Sequence, residues 1–243
     1  MSSFQEGNNN GPGYYGEMKD GMKHGHGKLT DPDGDIYEGD FIHDMFDGKG
    51  EFLAADGSMM YVGEFQKNSM HGLGKYTWEN GQVYEGNYFE GVQQGRGKLI
   101  SPDGNEYSGN WVDGMPSGKG SFKYPDGRKY IGDVEAGAMH GKGLLTYPDG
   151  NAYSGDFVQN LFHGKGQTIL ANKSVLYDGE FRNSKMHGFG KMKLPDNSDY
   201  VGEFENDLKH GQGKYTYPNC DVYEGTWKEG KKDGYGIERS PTG

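Results

Sequence analysis

The chain has 243 residues, of which 32% are apolar and 45 are glycine, and its formal net charge is −11. So little apolar material argues against a thick two-layer core. The negative charge argues against nucleic acid or an anionic membrane as the main partner, because both select basic surfaces. One cysteine excludes an internal disulfide framework and fits a reducing compartment.

In chain order, residues 1–13 form a polar stretch with Asn8-Asn9-Asn10 and Pro12, read as a disordered lead. Met1–Gly11 has no apolar run suited to a signal peptide or membrane span, and residue 2 is Ser, which excludes a myristoylation signal. The expectation is a soluble, cytoplasmic protein.

From residue 14 onward the chain repeats. A leading tyrosine returns at Tyr14, Tyr37, Tyr61, Tyr84, Tyr107, Tyr130, Tyr153, Tyr177, Tyr200 and Tyr223. The step is 23 residues, except that Tyr61 and Tyr177 come one residue late. A glycine follows two positions after each tyrosine, and a Gly-x-Gly pair follows at a fixed offset, so three columns hold 30 of the 45 glycines. Glycine here is positional and does not mark a flexible linker. A fixed period of this length decides the architecture before any local reading does.

Within a repeat, Tyr37, Gly39 and Phe41 alternate with Glu38 and Asp40, a period of two that predicts a strand with one aromatic and one polar face. The eighth position holds Gly21, Asp44, Asn68 or an equivalent residue that tolerates the left-handed conformation of a tight turn. A second strand then runs through Gly48 and Gly50 to Phe52, so each repeat reads as a β-hairpin. Repeats are joined by Pro32-Asp33-Gly34, Pro102-Asp103-Gly104, Pro125-Asp126-Gly127 and Pro148-Asp149-Gly150, which decay to Pro195-Asp196-Asn197 and Pro218-Asn219-Cys220. The extra residues before Tyr61 and Tyr177 fall in these connections, where a bulge or longer turn absorbs them.

The expected register places Phe41 opposite Gly48, Gly39 opposite Gly50 and Tyr37 opposite Phe52, so that rings lean over residues without side chains. The predicted fold is all-β, an elongated single-layer twisted sheet of about ten consecutive β-hairpin repeats. Residues 14–237 would form one rod of about 95 Å at two strands per repeat, with a short tail at 238–243. Open sheet edges at the first and last hairpins favour end-to-end self-association.

Four columns could carry chemistry. His24, His71, His140, His163, His187 and His210 precede the second glycine, but successive copies lie about 10 Å apart, too far to share a metal ion. They read as turn caps. Glu17, Asp40, Glu64, Asp133, Asp156, Glu180 and Glu203 form an acidic column set against Lys49, Arg96, Lys119, Lys142 and Lys165, a self-neutralised face. The lysine of Gly-Lys-Gly lacks the helix that a phosphate loop opens.

The fourth column is apolar and lies at the hairpin tip: Met22, Met45 with Phe46, Met70, Val92, Met115, Met139, Leu161 with Phe162, Met186 and Leu208. Methionine suits adaptable binding surfaces. Either these side chains cap the aromatic stripe, or with Phe41, Phe65, Tyr88, Trp111, Phe157, Phe181 and Phe204 they line a groove that receives a partner segment.

The pattern Tyr-x-Gly-x-aromatic, a turn, then His-Gly-x-Gly resembles the MORN (membrane occupation and recognition nexus) repeat over residues 14–237. The resemblance implies a protein without catalytic residues, metal or cofactor, since enzymes of this family, such as lipid kinases and a lysine methyltransferase, carry their chemistry in separate domains. It also implies a protein–protein scaffold similar to radial-spoke head proteins, working with cytoskeletal or axonemal subunits in a cytoskeleton or cilium. Two alternatives remain: tethering to phospholipid head groups, disfavoured by the net charge, and a self-assembling filament.

Overall fold

A computed structural model describes residues 3–5 and 12–241 of the chain, and among them every regular element is a strand. Two compact units divide it, 1–125 and 126–243. The first holds β1 (Ser3–Gln5), β2 (Gly13–Lys19), β3 (Met22–Thr30), β4 (Ile36–Ile42), β5 (Met45–Leu53) and β6 (Met59–Gln66). It continues with β7 (Ser69–Trp78), β8 (Val83–Phe89), β9 (Val92–Ile100), β10 (Glu106–Val112) and β11 (Met115–Lys123). The second holds β12 (Lys129–Glu135), β13 (Ala138–Thr146), β14 (Ala152–Val158), β15 (Leu161–Ile169) and β16 (Val175–Arg182). It ends with β17 (Lys185–Lys193), β18 (Asp199–Glu205), β19 (Leu208–Thr216), β20 (Val222–Lys228) and β21 (Lys231–Arg239). Within each unit every strand pairs antiparallel with the next in sequence, giving a single layer.

Most of the expected lead, 1–13, lies outside the described residues. Residues 3–5 form a short strand that pairs with β2 as Ser3↔Met18, Phe4↔Glu17 and Gln5↔Gly16. An outer strand edge presents unpaired N–H and C=O groups that a neighbouring segment can satisfy. At the other end β21 carries the last hairpin to Arg239, two residues into the expected tail.

All ten hairpins close through two-residue loops in which both residues have positive φ, as at His43 (49°) and Asp44 (66°). This is the type I′ turn, whose twist matches that of the paired strands. The second loop residue does more than turn. The N–H of Asn68 donates to the carbonyl of Phe46 (2.9 Å) while its side-chain oxygen accepts from the Phe46 N–H (2.8 Å). Asp44, Asn160 and Asp207 make the same two-way clasp on Lys23, Met139 and Met186 of the preceding repeat.

The register was foreseen in half. Tyr37 stands opposite Phe52 and Gly39 opposite Gly50, but Phe41 stands opposite Phe46, not Gly48. The ladder slips between Gly39 and Phe41 because Gly48 adopts φ 115°, forming a bulge with two residues against one. The same slip follows the first glycine in every hairpin. Phe41 does find a glycine, in the preceding repeat, where it pairs with Gly25.

The two irregular steps are absorbed differently. Before Tyr61 the connecting turn lengthens, so that Ala54 N–H reaches Met59 O, five residues on, where Trp78 N–H reaches Gln82 O, four on. Before Tyr177 the strand bulges, with Thr168↔Tyr177 and Ile169↔Val175 leaving Leu176 between them. Neither moves a tyrosine off its face.

Candidate functional site

One face of the sheet is aromatic and closed. Tyr37, Tyr61, Tyr84, Tyr107, Tyr130, Tyr153, Tyr177, Tyr200 and Tyr223 are all buried, as are the residues four positions after them, eight rings and Val134. The burial arises within a single layer because each tyrosine lies flat over the two glycines opposite one another in its hairpin. A Cβ built on Gly50 would meet Tyr37 Cε2 and Cζ at 2.6 Å. Six of the tyrosines also sit edge-to-face against the second ring of their own and the next repeat, as Tyr37 does with Phe41 and Phe65 (5.1 Å each). This T-shaped geometry suits the ring quadrupoles.

The tyrosine hydroxyl has a fixed task. In all ten repeats it donates to the backbone carbonyl three residues on, at 2.6–3.2 Å. That carbonyl belongs to the residue at the bulge. Phenylalanine would fill the same space and leave the carbonyl to find another donor. Burial pushes the phenols of Tyr61, Tyr84, Tyr107 and Tyr200 up to about 12.

The fifteen residues expected to bind a partner separate into three places. Phe41, Phe65, Tyr88, Trp111, Phe157, Phe181 and Phe204 are buried core rings. Phe46, Met70, Phe162 and Met186 pair across the loop with four of those rings and Met139 with Val134, and all five share the aromatic face. They cap the stripe: Phe46 stacks on Tyr37 and Phe162 on Tyr153, each at 3.7 Å between centroids. Lys209 takes this place in its repeat, with its ammonium over Tyr215 (4.2 Å) and Trp227 (4.8 Å). Met22, Met45 and Met115 are one residue earlier and therefore point to the opposite face, where Met45 pairs with Ile42 and Met115 with Val112. The apolar tip column is two columns facing opposite ways.

That opposite face is polar and open. Its acidic column bonds first to its own hairpin: Asp40, Asp133 and Asp156 accept from the backbone N–H of Lys49, Lys142 and Lys165 at 3.0 Å, each bracing the bulge. The carboxylate lies over the first glycine, where a Cβ on Gly48 would meet Asp40 Cβ at 2.7 Å. Where a lysine faces an acid of this column, it comes from the preceding repeat, not the same one as expected. Lys49 faces Glu64, Lys142 faces Asp156 and Lys165 faces Glu180, and Lys142 closes to 2.6 Å on Asp156.

Three grooves floored by backbone glycines open on this polar face, and none of the fifteen expected residues lines them. One of about 550 Å³ crosses β4–β7 and is lined by Glu38, Lys49, Glu51, Val62, Glu64 and Leu73 among others. A second, of about 630 Å³, lies over β7–β11 with Leu73, Glu85, Asn87, Arg96, Lys98 and Lys119. In the second unit a groove of about 520 Å³ is lined by Ile131, Lys142, Leu144, Lys165, Gln167 and Asp178. Large apolar side chains stand exposed beside them, Leu73 at 61% and Ile131 at 66%. The sequence carried a signal for these residues in the breaks of the polar columns, where Val62, Leu73, Ile131 and Leu144 replace charged residues.

The histidine column lies beside the bulge. His71, His163 and His210 pair across their hairpins with Glu64, Asp156 and Glu203, and their carbonyls lie 3.3–3.4 Å from tyrosine hydroxyls. Among the described residues no three His, Cys, Asp or Glu side chains are placed to hold a metal ion.

The fold is thus an open β-sheet of hairpin repeats, with tyrosine over paired glycines as the repeated unit. Ten segments match the MORN repeat family: 14–36, 37–59, 61–83, 84–106, 107–127, 130–152, 153–175, 177–199, 200–219 and 223–243. The chain belongs to that family. Among solved structures it is similar to the wild-type TCP10 domain of Danio rerio CPAP in complex with a peptide of Danio rerio STIL. That match has 19% identity, covers 88% of this chain and 98% of that one, and has a TM-score of 0.41. It is also similar to the SAS-4 (dCPAP) TCP domain in complex with a proline-rich motif of Ana2 (dSTIL) of Drosophila melanogaster. There the identity is 17%, over 62% of this chain and 81% of that one, with a TM-score of 0.40.

Proposed function

We propose that the chain is a non-enzymatic scaffold that holds a segment of another protein against the polar face of its sheet. One observation carries this reading. The aromatic face is filled by the chain's own rings and caps, whereas the polar face leaves grooves in which exposed apolar side chains stand among charges. Apolar anchors inside a polar rim are what a protein segment needs in order to dock.

The setting we propose is cytoskeletal, in a cilium or a comparable filament assembly, on the strength of the resemblance to all-repeat proteins of radial spokes. Fractionation of native cells tests it. Retention in the pellet after detergent, with release by high salt, is expected. Release by detergent alone would mean tethering to a membrane and would overturn the scaffold reading. Self-association is a second reading, favoured by β21, which is exposed along all nine residues. Light scattering that grows with concentration is its expected signature, and a strict monomer contradicts it.

A further inference from the structure

We infer that the groove over β7–β11 docks an acidic segment of a partner protein bearing spaced apolar anchors, a refinement that rests on the scaffold reading above. The first observation is a break in the charge ladder. Lys49, Lys142 and Lys165 each face a carboxylate of the next repeat, but Arg96 faces Asn110. Asn87 likewise stands at a position that is Asp or Glu in seven of the ten repeats, and it braces its bulge by donating to the Arg96 carbonyl (2.9 Å) instead of accepting. Two successive repeats have therefore dropped the acid; Asn87 faces Leu73, so the cation left without a facing carboxylate is Arg96. Among the described residues no carboxylate pairs with the Arg96 guanidinium.

The consequence is local. On a chain of net charge −11, this groove presents Arg96, Lys98 and Lys119 against Glu85. The neighbouring groove over β4–β7 presents Glu38, Glu51 and Glu64 against Lys49. Lys98 is engaged by Glu106 at 3.2 Å, outside the groove lining. An exposed, unpaired guanidinium is a fork for a carboxylate.

The second observation concerns the same two hairpins. Two residues beyond Asn87 and Asn110 on the polar face stand Phe89 and Val112, paired across their loops with Val92 and Met115. All four are exposed, at 43–55%. In the hairpin before them the corresponding pair is Gln66 and Ser69. Two apolar tips about 10 Å apart, two strand spacings, fall between the reach of anchors two and four residues apart on one side of an extended chain, about 7 and about 13 Å. Charge and apolar surface coincide here and point to one occupant: an extended segment rich in Asp or Glu with Leu, Ile, Phe or Met at intervals.

The test uses the full chain as selector for a random phage-displayed library of peptides of about twelve residues, which reach roughly 40 Å when extended. Affinities of the selected peptides are then read by fluorescence anisotropy. The expected peptides are acidic with apolar anchors and bind more weakly as salt rises. Arg96→Glu is expected to weaken them by about tenfold or more, as is the pair Val112→Ser and Met115→Ser, with melting curves unchanged. Should a variant melt early, the native chain decides: replacing the acidic residues of a selected peptide by lysine must abolish binding. Peptides that are neutral or basic, or that bind Arg96→Glu as well as the native chain, overturn the inference and leave the scaffold reading standing. A library that yields no binder overturns both.

Discussion

A tyrosine over two glycines is the smallest unit of this protein. Tyr37 is buried not by a second layer but by the absence of side chains at Gly39 and Gly50, with its hydroxyl bonded to Asp40 O at 3.0 Å. Gly50→Ala sets a methyl group into the ring, and because the ring is held by Phe41, Phe46 and Phe65 it has nowhere to go. A loss of about 1–3 kcal/mol is expected from denaturant titration; an unchanged midpoint would contradict the arrangement. The buried phenols also set a pH limit. Their folded pKa of about 12 lies above the ordinary value of 10.0. The unfolded chain therefore loses its phenolic protons first. Stability from these groups is complete below pH 10 and falls as pH rises from 10 through 12. Melting temperatures measured over that range should drop, and a flat profile would mean that the tyrosines are solvated.

At the scale of the hairpin, two small devices set the geometry. The positive φ of Gly48 makes the bulge, and the second loop residue clasps the preceding repeat. Asn68→Ala removes that clasp and puts a Cβ-strained residue at φ 68°, so about 1–2 kcal/mol should be lost in urea titration. Gly114, which turns the same way with its N–H alone bonded to Gln93 O (3.0 Å), is the natural control, and Gly114→Asn is expected to be neutral or stabilising.

The hairpins, both turns and the aromatic stripe were legible in the sequence because each rests on a residue type that recurs with the period. The bulge was not. A slip of one residue changes which strand Phe41 and Asp40 meet, and nothing in a Gly-x-Gly pair says that its first member takes positive φ. The missed bulge carried a larger error with it, since Met45 and Phe46 look like one apolar tip until the pairing shows that they face opposite ways.

For the molecule as a whole, the same logic moves the proposed partner surface from one face to the other. Aromatic richness suggested a binding groove, yet rings that must be buried to hold a single layer together are not available to a partner. Variation is what remains informative: on the polar face the repeats depart from one another in charge and apolar exposure, and those departures distinguish one groove from the next. A central claim follows, that partners meet the polar face. The direct test places a photo-crosslinking amino acid in native cells at Leu73, Lys98 or Leu144 on that face, and at Phe46, Met70 or Phe162 on the aromatic face. Adducts to another protein from the first set and none from the second are predicted. Adducts from the aromatic set alone would contradict the account.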